Sequence, residues 1–137
     1  MRLVVTLLSV VALAFAAPAA ADPPTASPFE FTFGDVNPCT GDAMTVTIFG
    51  TVFEHFHDSR TVVRLDRTIT TSDGFVGRGT ETQVFNGQVF VGRLADILTN
   101  DVGDRFRARA VFVVNVTTDT VRVDRFQLSC LGGNSRE

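Results

Sequence analysis

The sequence predicts an all-β domain of about seven to eight antiparallel strands, arranged as a barrel or a sandwich and tied by one disulfide. Three observations carry this. Arg105 to Val116 is the longest period-two stretch, with Phe106, Ala108, Ala110, Phe112, Val114 and Val116 on one side and Arg105, Arg107 and Arg109 on the other. Asn86-Gly87 stands between Gln83-Val84-Phe85 and Gln88-Val89-Phe90, a strong signal for a two-residue hairpin. No segment shows a convincing helical period.

The chain has 137 residues, enough for one domain with a modest core. All twelve basic residues are Arg, and every aromatic is Phe, with Trp and Tyr absent. Arg without Lys reads more simply as the codon usage of a GC-rich genome than as a binding surface. Met1 to Ala21 has the form of a secretory signal: Arg2, an apolar run from Leu3 to Ala17, and Ala19-Ala20-Ala21 before Asp22. The run is short for a bilayer span, so no stable membrane insertion is expected. The formal charge is −3, and losing Arg2 with the leader makes the mature chain more acidic. That balance argues against a generic nucleic-acid or anionic-membrane binder. The expected location is therefore outside the cell, where Cys39 and Cys130 pair as a disulfide closing a long loop.

Taken in order, residues 22–28 read as a Pro-rich tether, 29–131 as the β domain and 132–137 as a flexible tail. Phe29, Phe31 and Phe33 alternate with Glu30 and Thr32 as a first strand. Asn37 to Asp42 has strong turn chemistry. Ala43 to His57 is a long strand in which Gly50 marks a bulge or bend. Arg60 to Thr71 follows, with Val63, Leu65 and Ile69 on one side and Arg67 breaking that side. In Phe75 to Phe85, Gly77 and Gly79 leave two same-face positions bare, which suggests that something large lies over them. Gln88 to Leu94 pairs back, and Ala95 to Leu98 fits either a strand end or one helical turn. Thr117 to Asp119 is a turn, and Val121 to Cys130 is the last strand. Its core face changes sides between Asp124 and Arg125, so a bulge is expected there. Sequence order suggests neighbour-to-neighbour hairpins, and the glycines within strands favour a closed barrel.

Glu54-His55-Phe56-His57-Asp58 holds both histidines. Two residues apart on a strand, His55 and His57 share one face, the arrangement by which sheet-based enzymes offer two imidazoles to a metal. No third ligand is evident beyond Glu81 or Asp58. A cupin pattern fails, because Gly50 is too near and Thr61 and Val62 stand where its glutamate belongs. The plainer reading is solvated histidines near a strand end.

Arg105, Arg107 and Arg109 form a same-face ladder suited to phosphate, sulfate or an acidic glycan. Its plainer reading is cross-strand pairing with Asp124 or Asp96. Asn100 to Asp104 is rich in oxygen ligands but lacks EF-hand spacing and reads as a turn. A Ser–His–Asp arrangement would need Ser59, Ser72 or Ser129 to meet the histidines through the fold, and no Gly-x-Ser-x-Gly or phosphate-cradling loop is present. No cofactor is called for. Asn115-Val116-Thr117 fits a glycosylation acceptor at a strand end.

With Asn37-Pro38-Cys39-Thr40-Gly41-Asp42, the His-x-His strand, Gly77-x-Gly79-Thr80 and Cys130-Leu131-Gly132 in view, the chain resembles small secreted β-rich proteins of GC-rich bacteria that open with Asn-Pro-Cys-(Asn/Thr)-Gly-(Glu/Asp). That resemblance implies export and a β fold, and it carries over no functional residue. A lipocalin-like architecture is an analogy of fold alone, since the Gly-x-Trp motif of lipocalins is impossible without Trp.

The function these observations favour is an exported, non-enzymatic barrel that binds a small apolar ligand or a cell-surface partner. For the ligand, the inward column Phe106, Ala108, Ala110 and Phe112 is the candidate lining, its two alanines either receiving facing phenylalanines or bordering a cavity. The alternatives are a metal-dependent or cyclase-like barrel enzyme using His55 and His57 from inside, and a structural cell-surface module.

Overall fold

A computed structural model describes residues 23–85 and 87–132. The expected signal segment, most of the tail and Asn86 lie outside the described residues. Seven strands follow one another: β1 (Thr25–Val36), β2 (Ala43–His57), β3 (Arg60–Thr71), β4 (Val76–Phe85), β5 (Val89–Thr99), β6 (Arg105–Asn115) and β7 (Thr120–Cys130). They form a single antiparallel sheet in the order β1-β2-β3-β4-β5-β6-β7, curled into a nearly closed barrel. Each pair is a neighbour in sequence, which is the hairpin order the short turns predict.

Alternation decides which side chains fill the barrel. Val46, Ile48 and Val52 of β2, Val63, Leu65 and Ile69 of β3, Leu94 and Leu98 of β5, and Phe106, Ala108, Phe112 and Val114 of β6 are all buried. Phe29, Phe31 and Phe33 of β1 pack against this core from one side. Phe75, just before β4, stacks on Phe106 with ring centroids 3.7 Å apart, plugging one end.

Two strands differ in extent from the sequence expectation. β1 begins at Thr25 rather than Phe29, so Thr25 to Pro28 are ladder residues opposite Thr51 to Glu54 and not tether. Pro28 is accommodated because β1 is an edge strand whose other side makes no ladder. Ala95 to Leu98 is strand throughout, paired with Phe106 to Arg109.

The Asn86-Gly87 turn includes a residue outside those described, but the strands on either side of it are described. Gly87 has φ +134°, and β4 and β5 pair at Val76 and Thr99 alone, at the end far from the turn. A tight primed turn would bring the flanking residues into register. Here the Phe85 and Phe90 rings stack 5.5 Å apart across the turn, and the Gln88 carbonyl accepts a hydrogen bond from the Val116 amide (2.9 Å).

The glycines earn their places by close approach. A Cβ at Gly79 would stand 2.5 Å from Asp96 Oδ1 and 2.7 Å from Arg67 Nη2, and one at Gly77 would meet Leu98 and the Ile97 carbonyl. These are the large neighbours that the bare positions lead one to expect. Gly50 causes no register shift in either ladder; its lack of a Cβ lets the Asp66 carbonyl come close. The bulge in β7 lies where the switch of core face puts it: Arg125 pairs with Val111 and Val123 with Phe112, leaving Asp124 between them without a partner.

Between β7 and β1 side chains replace a ladder. The Cys39–Cys130 disulfide forms at one end, joining residues 91 apart. Asn37 sets the turn that presents Cys39: its Oδ1 accepts from the Cys39 and Thr40 amides at 2.8 and 3.1 Å, and its Nδ2 donates to Asp73 at 2.7 Å. Midway, Phe33 meets Phe126 edge-on at 5.1 Å. At the other end the Ser27 hydroxyl donates to the Asp119 carboxylate at 3.0 Å.

Candidate functional site

Polar groups on the core parity of the strands stand out, because burying them without partners is costly. Arg67 on β3 and Asp96 on β5 each occupy a position that alternation assigns to the interior. Their side chains are only 5% exposed, and Arg67 Nε and Nη2 donate to the two Asp96 oxygens at 2.6 and 2.7 Å. The fork crosses β4 over Gly79, where a side chain would block it. Arg67 Nη1 is buried without a hydrogen-bond partner among the described residues. In the sequence Arg67 is a break in an apolar column with no partner evident near it. The signal was available, since Asp96 interrupts the column Phe90, Leu94, Leu98 in the same way.

Glu54, at the opposite end of the barrel interior, is also buried, and its Oε1 has no partner among the described residues. Its carboxyl is held above the ordinary glutamate range, first by desolvation and then by the nearby Asp119 carboxylate.

The histidines do not enter the barrel. Glu54 takes the inward position on β2, so His55 and His57 project from the outer face. Their rings are 6.4 Å apart, and His57 Nδ1 lies 3.1 Å from Asp58. Among the described residues no three His, Cys, Asp or Glu side chains gather as a metal site. The interior cyclase-like arrangement is therefore corrected: parity places these imidazoles on the outside surface.

The inward column Phe106, Ala108, Ala110 and Phe112 is buried as expected. Ala108 lies beside Asp96 and Leu128 in its two ladders, and Ala110 beside Leu94 and Phe126. Phe29 meets Phe112 edge-on at 6.2 Å. The small residues thus make room for the Asp96 carboxylate and for Phe126.

The outer face of β5, β6 and β7 holds the most coherent arrangement. Arg105, Arg107 and Arg109 all point outward on β6 and are exposed. The ladders flank them with Arg93 on β5 and Arg122 and Arg125 on β7, so half of the chain's twelve basic residues share one surface. Across the strands the rows read Arg93–Val111–Arg125, then Ala95–Arg109–Gln127, then Ile97–Arg107–Ser129. A shallow groove runs between Arg93, Arg109 and Arg125 over Ala95 and Val111.

Cross-strand neutralisation does not account for this surface. Asp96 is turned inward to Arg67, and among the described residues none of the six arginines lies in an ion pair. Asp124 sits at the bulge, and Glu30 of β1 borders the cleft beside Arg122 and Arg125, both as edge groups. On the opposite face the charges are mixed: Arg64 lies 3.4 Å from Asp66, and its guanidinium covers the Phe53 ring at 4.2 Å. Concentrated positive charge on an otherwise acidic protein produces a local field that the net charge conceals. The ladder was legible in sequence, whereas its flanks needed the strand order.

Comparison of the chain with protein-family models, with curated proteins and with solved structures gave no match.

Proposed function

We propose that this protein is an exported binding barrel that engages an anionic surface partner through the outer face of β5 to β7. The supporting observation is the set of six outward arginines without carboxylate partners among the described residues. Of the two occupants expected from sequence, the partner on the outside is favoured over an apolar ligand inside. The Phe75–Phe106 stack and the neighbours of Ala108 and Ala110 occupy the interior column. Export rests on the form of the N-terminal segment, and the disulfide accords with it.

Guanidinium forks recognise planar or tetrahedral oxyanions by paired hydrogen bonds, so the barrel acts as a rigid platform with pre-spaced donors. The test is retention of the purified protein on immobilised dextran sulfate at low salt. The wild type should be retained, and Arg93→Gln with Arg109→Gln and Arg125→Gln should elute early while keeping its thermal midpoint. Equal retention of both would overturn the proposal.

A further inference from the structure

Resting on that reading, we infer that the face takes an extended phosphodiester polymer of the polyol-phosphate kind, lying along β6. The spacing carries the inference. Alternate residues of a strand are about 6.8 Å apart, so Arg105, Arg107 and Arg109 offer one cation per step in a straight line. The next step on that line is Val111, and there Arg93 and Arg125 stand opposite it on the two neighbouring strands and line the same groove. The track therefore presents cationic donors at four successive steps. A P–O–C–C–C–O–P linkage, nearly extended, separates its phosphates by close to the same step. An alternating acidic disaccharide places its charges two sugar rings apart and would meet every other donor.

The floor of the track discriminates further. Its outward residues between the arginines are Ala95, Ile97, Val111, Gln127 and Ser129, and none is aromatic. Single-stranded nucleic acid is held by stacking bases on aromatic rings in addition to phosphate contacts. The exposed phenylalanines, Phe49 and Phe56, belong to β2 instead. A polymer with small aliphatic units between its phosphates fits a floor of small and aliphatic side chains.

The experiment uses the full mature chain and four probes of matched length: poly(glycerol phosphate), oligo-dT, hyaluronate and dextran sulfate. Binding is measured by fluorescence anisotropy over a range of salt. The expected result is tightest binding to poly(glycerol phosphate), with log K falling against log salt with a slope of about −3, as for roughly four to five released counterions. Arg107→Gln with Arg109→Gln should weaken it at least ~10-fold and flatten the slope by about 1 to 2. Arg64→Gln on the opposite face should change neither. Equal or tighter binding of oligo-dT or hyaluronate would overturn the polymer assignment. Binding of dextran sulfate alone would overturn it as well, while leaving the anionic-partner reading standing. Binding of none would remove both.

Discussion

The barrel has two places where the backbone ladder lapses, and they are closed by different chemistry. Between β4 and β5 one residue pair remains, Val76 with Thr99, and the gap is spanned by the buried Arg67–Asp96 fork. Between β7 and β1 the closure is a covalent bond, two crossing phenylalanines and a surface hydrogen bond. The first seam depends on directional polar contacts made in the dry interior, where the desolvation cost is high. The second limits what the unfolded chain can do and adds apolar contact that tolerates adjustment. The barrel therefore closes its two ladder gaps by two different substitutes.

The largest effect should come from breaking the covalent seam. Cys39→Ser with Cys130→Ser should lower stability by about 4–5 kcal/mol, since the closed loop is long. Urea unfolding of both proteins checks it, and a loss under ~1 kcal/mol would mean that the phenylalanines close the seam unaided. At the polar seam, Asp96→Ala leaves Arg67 buried without its counter-charge and should cost about 3–5 kcal/mol. Arg67→Met with Asp96→Leu should recover most of that loss; failure to recover would show that the fork itself, and not charge compensation, ties β3 to β5 across β4.

Gly79→Ala sharpens the same point with a single methyl group. The added carbon would push into both partners of the fork, and a thermal midpoint lowered by the equivalent of about 1–3 kcal/mol is expected. An unchanged midpoint would mean that the fork shifts freely.

The smallest effect concerns the β7–β1 seam and has the opposite sign. Glu54 holds its proton to higher pH when folded than when unfolded. Its contribution to stability is then complete below the ordinary glutamate range and is lost as pH rises through the raised value. Glu54→Gln should therefore stabilise by about 1 kcal/mol at neutral pH, with the gain fading under acid conditions. A gain that is flat with pH would point to packing rather than ionisation.

Much of this was legible in the residues. Alternation in Arg105 to Val116 gave the core face of β6, the change of parity near Asp124 located the bulge, and the two cysteines near the ends of the domain paired as expected. What escaped was whatever depends on the relation between strands. Arg67 and Asp96 each look like a flaw in a local pattern, and only the strand order makes them partners across Gly79. Asn86-Gly87 is a strong local turn signal, yet among the described residues β4 and β5 form a ladder at Val76 and Thr99 alone. The histidines stand where their plainer reading put them, outside near a strand end, while the interior alternative stayed open for a related reason: two residues on one face is a local fact, and which face is inside was decided by Val46, Ile48 and Val52 on the other parity.

The disulfide has a consequence of a topological kind. Every hairpin loop from β2 to β7 lies between Cys39 and Cys130, so that part of the chain is a covalent ring. A single peptide cut in any of those loops opens the ring without releasing a fragment. Exposed loops are where proteases cut first. A molecule nicked once would stay whole on a non-reducing gel and separate into two pieces only after reduction.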